Sequence, residues 1–325
     1  MEGATLLRLP CRSFRSGVLG VFVFALAILP THYALCQNIQ AQSEPVSEIP
    51  SLETRSFESE GSNNNVDSDR GKYLVTIAAC GYCHGADPDD PLSPLSGGRI
   101  LEDSYGKVEV PNITSDKDTG IGRWTVLELR HAIRSSIGRK GEYLSIDAHQ
   151  GYRWLSDQDV QEISEYLLRT EPAKSDSERR KVSAFTARKW GLFSQHEIVR
   201  GYVPSISESA GGYYGMYLVS HLASCARCHS PKESVIDSSG YLAGSKGIRF
   251  RASTLFEKNK VPQAPSIRNT EDGISALTDD DIVRFLKRGK GLTPESESRI
   301  CPTPYYSFMT TRDVQSVIKY LRSLE

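Results

Sequence analysis

The chain carries one pentapeptide twice, as Cys80-Gly81-Tyr82-Cys83-His84 and as Cys225-Ala226-Arg227-Cys228-His229. The C-x-x-C-H pattern limits what can fold around it, because it is the attachment signature of a c-type haem. Two thiols three residues apart on one helical turn can add to the two vinyl groups along a porphyrin edge. The histidine that follows then lies under the ring, where an imidazole nitrogen reaches the iron. A zinc site would need two more ligands per metal in a tetrahedral array. The other cysteines, Cys11, Cys36 and Cys301, form no second pair. A redox C-x-x-C has no need of the histidine. The pattern therefore predicts two covalently bound haem c groups, attached through Cys80, Cys83, Cys225 and Cys228, with His84 and His229 as iron ligands.

The residues around the motifs also repeat. Gly71-Lys72-Tyr73-Leu74-Val75 returns as Gly215-Met216-Tyr217-Leu218-Val219, and Asp157-Gln158-Asp159-Val160-Gln161 returns as Thr311-Arg312-Asp313-Val314-Gln315. In the first half, Tyr73, Leu74, Ile77 and Ala78 recur at helical spacing ahead of the motif. Thr125 with Glu128 three residues on is a capping box for a middle helix reaching Ile137, with Leu127, Ala132 and Ile133 expected on its inner side. Ser156 caps a last helix over Asp157 to Leu168, with Val160, Ile163, Tyr166 and Leu167 on one face. Thr278 restarts the middle helix in the second half. The expected fold is all-α, with two tandem domains at 67–172 and 209–325, each a small helical fold around one haem. The stretch 173–208 reads as a connector, with Trp190, Leu192 and Phe193 suggesting that it packs on a domain.

The N-terminus reads as an export signal or an anchor over residues 1–36. Arg8, Arg12 and Arg15 precede the uncharged apolar run Val18 to Leu29, which Pro30 ends. That run is short for a spanning helix, which takes about 20 apolar residues. Residues 37–66, rich in Ser, Glu, Gln and Asn, read as a flexible spacer. Export, with a periplasmic location or attachment to the inner membrane, fits haem attachment outside the cytoplasm. Net charge is −1 with no basic block, which removes nucleic acid as a partner.

Pro111-Asn112-Ile113-Thr114-Ser115, followed by Gly120-Ile121-Gly122-Arg123-Trp124, completes a pattern that resembles class I cytochromes c in tandem. More narrowly it resembles the dihaem or multihaem cytochrome c subunits of periplasmic and membrane-bound dehydrogenases. The second half carries a decayed version, Ala264 to Thr270 and then Gly273-Ile274. The resemblance implies one-electron transfer, with redox proteins as partners: a dehydrogenase as donor and an oxidase or cytochrome as acceptor. Such proteins usually take the sixth iron ligand from a methionine ahead of the last helix. Asp147 and Thr303 stand where it is expected, and the first domain has no methionine at all. His149 and Met309 are the candidate replacements. His131 reads as a surface or half-buried residue, His221 as a surface residue, Met216 as no ligand, and Trp124 and Tyr305 as haem-pocket packing. A missing methionine leaves two other readings open, a dihaem peroxidase-like enzyme and a haem sensor with an open iron.

Overall fold

The computed structural model describes residues 64–103, 105–180, 198–231, 240–246, 251–252, 263–289 and 301–325. The first half runs α1 (Asn64–Ile77), α2 (Cys80–His84), β1 (Ile100–Asp103), β2 (Gly106–Glu109), α3 (Val126–Ser135), α4 (Ile146–His149) with a 3-10 turn over Gln150–Trp154, and α5 (Asp157–Leu168). The second runs α6 (Gly212–Tyr217), extended by a π-helical turn over Leu218–Leu222, then α7 (Ala226–His229), β3 (Arg251–Ala252), α8 (Asp279–Arg288), α9 (Thr303–Tyr306) and α10 (Thr311–Arg322). The apolar run Val18–Leu29, most of the spacer, and Trp190, Leu192 and Phe193 lie outside the described residues. Among the described residues no helix is long and apolar enough to cross a membrane.

Side-chain caps fix where the helices start. The Thr125 hydroxyl accepts from the Glu128 N–H at 3.2 Å while the Glu128 carboxylate accepts from the Thr125 N–H at 2.7 Å. Thr278 and Asp281 make the same box at the head of α8. Ser156 caps α5 by accepting from the Asp159 N–H at 3.0 Å, and α5 spans the expected residues. Three expectations need correction. Helix α1 begins at Asn64, inside the stretch read as spacer. Leu127 faces outward and is 61% exposed, while Leu129 and Ala132 are buried; α3 stops at Ser135 because Ser136 turns left-handed at φ 52°. Finally, the fold is mostly but not wholly helical. A small antiparallel sheet runs β2-β1-β3 and pairs Leu101 with Ala252, joining strands from both halves.

Two glycines let helices cross closely. A Cβ on Gly71 of α1 would lie 2.6 Å from the Glu162 carbonyl oxygen of α5, and one on Gly215 of α6 would lie 1.9 Å from the Ser316 carbonyl oxygen of α10. The same crossing is therefore made twice, by repeated sequence. The Asn112 stretch explains itself as a folded corner. Asn112 is fully buried, accepts from the Thr114 N–H at 2.8 Å, and donates to the Ala173 carbonyl at 2.6 Å. It thereby ties the start of the connector to the first half.

Gly61–Glu325 forms one compact unit. One cluster of buried apolar side chains runs from Leu74 and Ile77 through Leu155 and Leu218 to Met309 and Leu321. The halves also exchange hydrogen bonds reciprocally. Tyr217 of α6 donates to Asp159 of α5 at 2.5 Å and accepts from the Ser156 N–H at 3.1 Å. Tyr73 of α1 donates to Asp313 of α10 and accepts from the Thr310 N–H at 3.1 Å. Burial and the neighbouring carboxylate push both phenols well above their ordinary range.

Candidate functional site

Both pentapeptides begin after a residue in left-handed conformation, Ala79 at φ 53° and Ser224 at φ 51°. Such a conformation is uncommon away from glycine, and it breaks the preceding helix so that the motif starts a fresh turn. In that turn the His84 Nδ1 lies 2.8 Å from the Pro111 carbonyl oxygen, and the His229 Nδ1 lies 2.8 Å from that of Pro265. A carbonyl can only accept, so each Nδ1 carries the hydrogen and each Nε2 keeps its lone pair. The carbonyl of each histidine accepts from a glycine N–H, Gly97 or Gly244, at 2.8 Å. Burial lowers His84 to about 4, against the pull of the Pro111 carbonyl and with a small push from Arg179. Burial lowers His229 as well, against the Pro265 carbonyl. Neutral imidazole is the form that binds metal. Burial pushes the Cys80 and Cys225 thiols up to about 12.

Around the first motif lies an apolar cavity of about 1270 Å³, its mouth included. Cys80, Cys83 and His84 line one part of it, with Trp124, Leu129 and Leu167 among the apolar walls. His149 lines it too. The His84 and His149 ring centroids are 6.4 Å apart, with planes 14° from parallel. The His149 Nδ1 is buried and makes no hydrogen bond of ordinary geometry. Burial lowers its ring to about 3; His84 and Arg227 add to that, and only the Ser145 carbonyl opposes it. A large apolar space, two thiols, an imidazole with its Nε2 unengaged and an orphaned nitrogen on a second imidazole together fit a haem.

Three arginines at this cavity were not legible as site residues. Arg179 and Arg180 arrive from the connector and line the cavity. Arg179 lies over the Trp124 ring at 5.0 Å and donates to the Asn112 carbonyl at 3.2 Å. Arg180 grips the buried Asp103 carboxylate at 2.6 and 2.8 Å. Arg227, the variable residue of the second motif, reaches across to line the first cavity and donates to the Ala148 carbonyl at 2.8 Å. Burial works against the charge of Arg227, yet its pKa stays above the ordinary arginine value, and an arginine keeps its proton in any case. Only the cluster of arginines and lysines in the connector hinted at any of this.

The remaining candidates sort as follows. Trp124 packs in the first cavity as expected. Tyr305 belongs to the second half yet packs on the first motif: its ring meets Tyr82 edge-on at 6.5 Å, and its hydroxyl lies 2.8 Å from where a Cβ on Gly81 would be. His131 is exposed. His221 is not a surface residue; it is half-buried between the halves, its Nδ1 3.2 Å from the Gly151 carbonyl oxygen. Met309 is 2% exposed within the core, and Met216 is 36% exposed. Tyr152 donates to the Ala78 carbonyl at 2.5 Å and Tyr306 to that of Ala223 at 2.9 Å. The spacing that equates Tyr152 with Tyr306, and Ser156 with Thr310, equates Asp147 with Cys301 and His149 with Thr303. Cys301, not Thr303, therefore occupies the place of the usual methionine in the second half. Its thiol is pushed well up by burial, then by Cys225 and Cys228.

No family model matches the chain. It is 28% identical over 266 residues to the fructose dehydrogenase cytochrome subunit of Gluconobacter japonicus, covering 78% of this chain and 52% of that one. It is 25% identical over 275 residues to the gluconate 2-dehydrogenase cytochrome c subunit of Pantoea cypripedii, covering 78% and 59%. The chain thus spans little more than half the length of these relatives. It is 31% identical over 245 residues to a diheme cytochrome c-type protein of Cereibacter sphaeroides, covering 71% of this chain and 76% of that one.

Proposed function

The chain belongs to the dihaem c-type cytochromes, and from that premise we propose that it passes single electrons through two haems, one in each half, outside the cytoplasm. A bound haem c supplies a one-electron Fe(III)/Fe(II) couple whose potential is set by its ligands and surroundings. The chain's own residues do the rest. His84 and His229 are turned to offer Nε2 by the Pro111 and Pro265 carbonyls. Apolar walls hold water off the first site, and Arg179 places positive charge at the same cavity, where a carboxylate of a porphyrin would be neutralised.

One observation carries the reading of a two-site carrier. The motifs are pressed together: Arg227 of the second lines the cavity of the first and donates to the Ala148 carbonyl beside it at 2.8 Å. Attachment edges brought this close give an electron a short path between the sites. Two relatives are named as cytochrome subunits of fructose dehydrogenase and gluconate 2-dehydrogenase. That supports a dehydrogenase as donor, with an oxidase or another cytochrome as acceptor, met through small transient interfaces. The apolar run Val18–Leu29 is proposed to direct export or to hold the protein at the inner membrane.

The test is a pyridine haemochrome assay on the purified chain, followed by mixing with a reduced redox protein. Two covalent haems per chain are expected, with one lost from firm attachment in Cys80→Ser and one in Cys228→Ser. Reduction should be fast at both sites. A single haem, haem extractable by acid acetone, or one site that never reduces would overturn the proposal.

A further inference from the structure

We infer that His149 is the second axial ligand of the first haem, so that this iron is held between two histidines. The inference rests on haem attachment at Cys80 and Cys83, and it goes beyond it by naming the ligand on the opposite face. The usual sulfur donor is absent from this half: Asp147 fills its place and is 5% exposed.

The separation of the rings is the main argument. An imidazole nitrogen binds a first-row metal at about 2 Å. A ring centre lies roughly 1.1 Å behind its nitrogen, so two axial imidazoles on one metal have centres about 6.2 Å apart. The observed separation is 6.4 Å, with the ring planes 14° from parallel. Both rings line the same cavity. The pair is thus set at the span of one metal with its two bonds.

The backbone that carries His149 is pinned for the purpose. The His149 N–H donates to the Ser145 carbonyl at 3.3 Å. The carbonyl of the residue before it, Ala148, accepts from Arg227 at 2.8 Å. Three residues later Tyr152 is anchored to the Ala78 carbonyl at 2.5 Å. The orphaned Nδ1 of His149 fits as well. The second half cannot copy the arrangement, because Thr303 stands at the equivalent position. The consequence for function is that the first iron is closed on both faces, which counts against peroxide or gas chemistry there.

The experiment is electron paramagnetic resonance and magnetic circular dichroism of the oxidised holoprotein, with the haemochrome assay run on every sample. The wild type should show a low-spin haem carrying two nitrogens and lacking the sulfur-to-iron band of histidine–methionine sites. In His149→Ala one of the two haems should become high spin while the haem count stays at two, and added imidazole should return it to low spin. In His149→Met one haem should gain the sulfur band. An unchanged spectrum in both variants, or a first haem already high spin in the wild type, overturns the inference. A wild-type haem count below two overturns the underlying reading instead, and the assay tells the two failures apart.

Discussion

Tyr217→Phe removes one hydroxyl and should loosen the join between the halves. Tyr217 is 3% exposed, and its oxygen accepts from the Ser156 N–H at 3.1 Å while donating to Asp159 at 2.5 Å. Ser156 is fully buried, so its N–H would be left without a partner, at a cost of about 1–3 kcal/mol. Asp159 keeps Arg70 at 2.5 Å, so its share is smaller, roughly 1 kcal/mol. The total is about 3 kcal/mol. Tyr73→Phe is the internal control. It takes a donor from the buried Asp313, but the N–H it also frees belongs to the exposed Thr310, which water can reach. Its cost should be about half as large, roughly 1.5 kcal/mol. At about 2–4 °C per kcal/mol for a chain of this size, Tyr217→Phe should lower Tm by about 6–12 °C and Tyr73→Phe by about 3–6 °C. Thermal melts of the holoproteins at pH 7, followed by far-ultraviolet circular dichroism and Soret absorbance, would measure both. Equal losses, or a Tyr217→Phe melt within about 2 °C of wild type, would refute the reasoning.

Gly215→Ala should destabilise more than Gly71→Ala, because its Cβ meets the Ser316 carbonyl oxygen at 1.9 Å rather than Glu162 at 2.6 Å; the strain of about 1–3 kcal/mol outweighs a helix gain of about 1 kcal/mol, and denaturant titration would show it. Arg227→Gln removes a cation beside the first cavity and should lower one midpoint in a redox titration, on the order of 70 mV for a charge at about 10 Å and an effective dielectric near 20. Burial works to raise Asp157, but Arg134 and Arg130 prevail and hold it below 3.8. Its stabilising share is therefore complete above pH 3.8 and lost as pH falls through the lower folded value, so Asp157→Asn should be less stable than wild type at neutral pH and match it at the acid end of a pH–stability series.

What the sequence made legible is local. The pentapeptides state their chemistry in five residues, and Ser156, Thr125 and Thr278 announce their helices because a cap and its partner stand three residues apart. What it hid depends on residues far apart. The pairing of Leu101 with Ala252 needs two strands too short to signal themselves. Leu127 shares its helical spacing with residues that point inward, and only the neighbouring elements decide that it faces solvent. Arg227 and Tyr305 look like features of the second half, and each does its packing in the first. The second methionine position was misplaced because Pro304-Tyr305 mimics the expected flanking pair, whereas the paired hydrogen bonds of Tyr152 and Tyr306 set the true register.

Those long-range contacts also settle how the two halves can behave. Repeated domains joined by a connector ordinarily move against each other unless their interface is large and apolar. Here one apolar cluster includes Leu74 and Leu155 from one half and Leu218 and Met309 from the other. Tyr73 and Tyr217 clasp it reciprocally, and β3 adds to the sheet of the first half. Separating the halves would expose that cluster and strand Asp159, Asp313 and Arg227 without their partners across the join. The motifs therefore keep a fixed separation. The electron passage proposed between the sites would need no domain movement, and a substitution at the join should change stability and inter-site rate together.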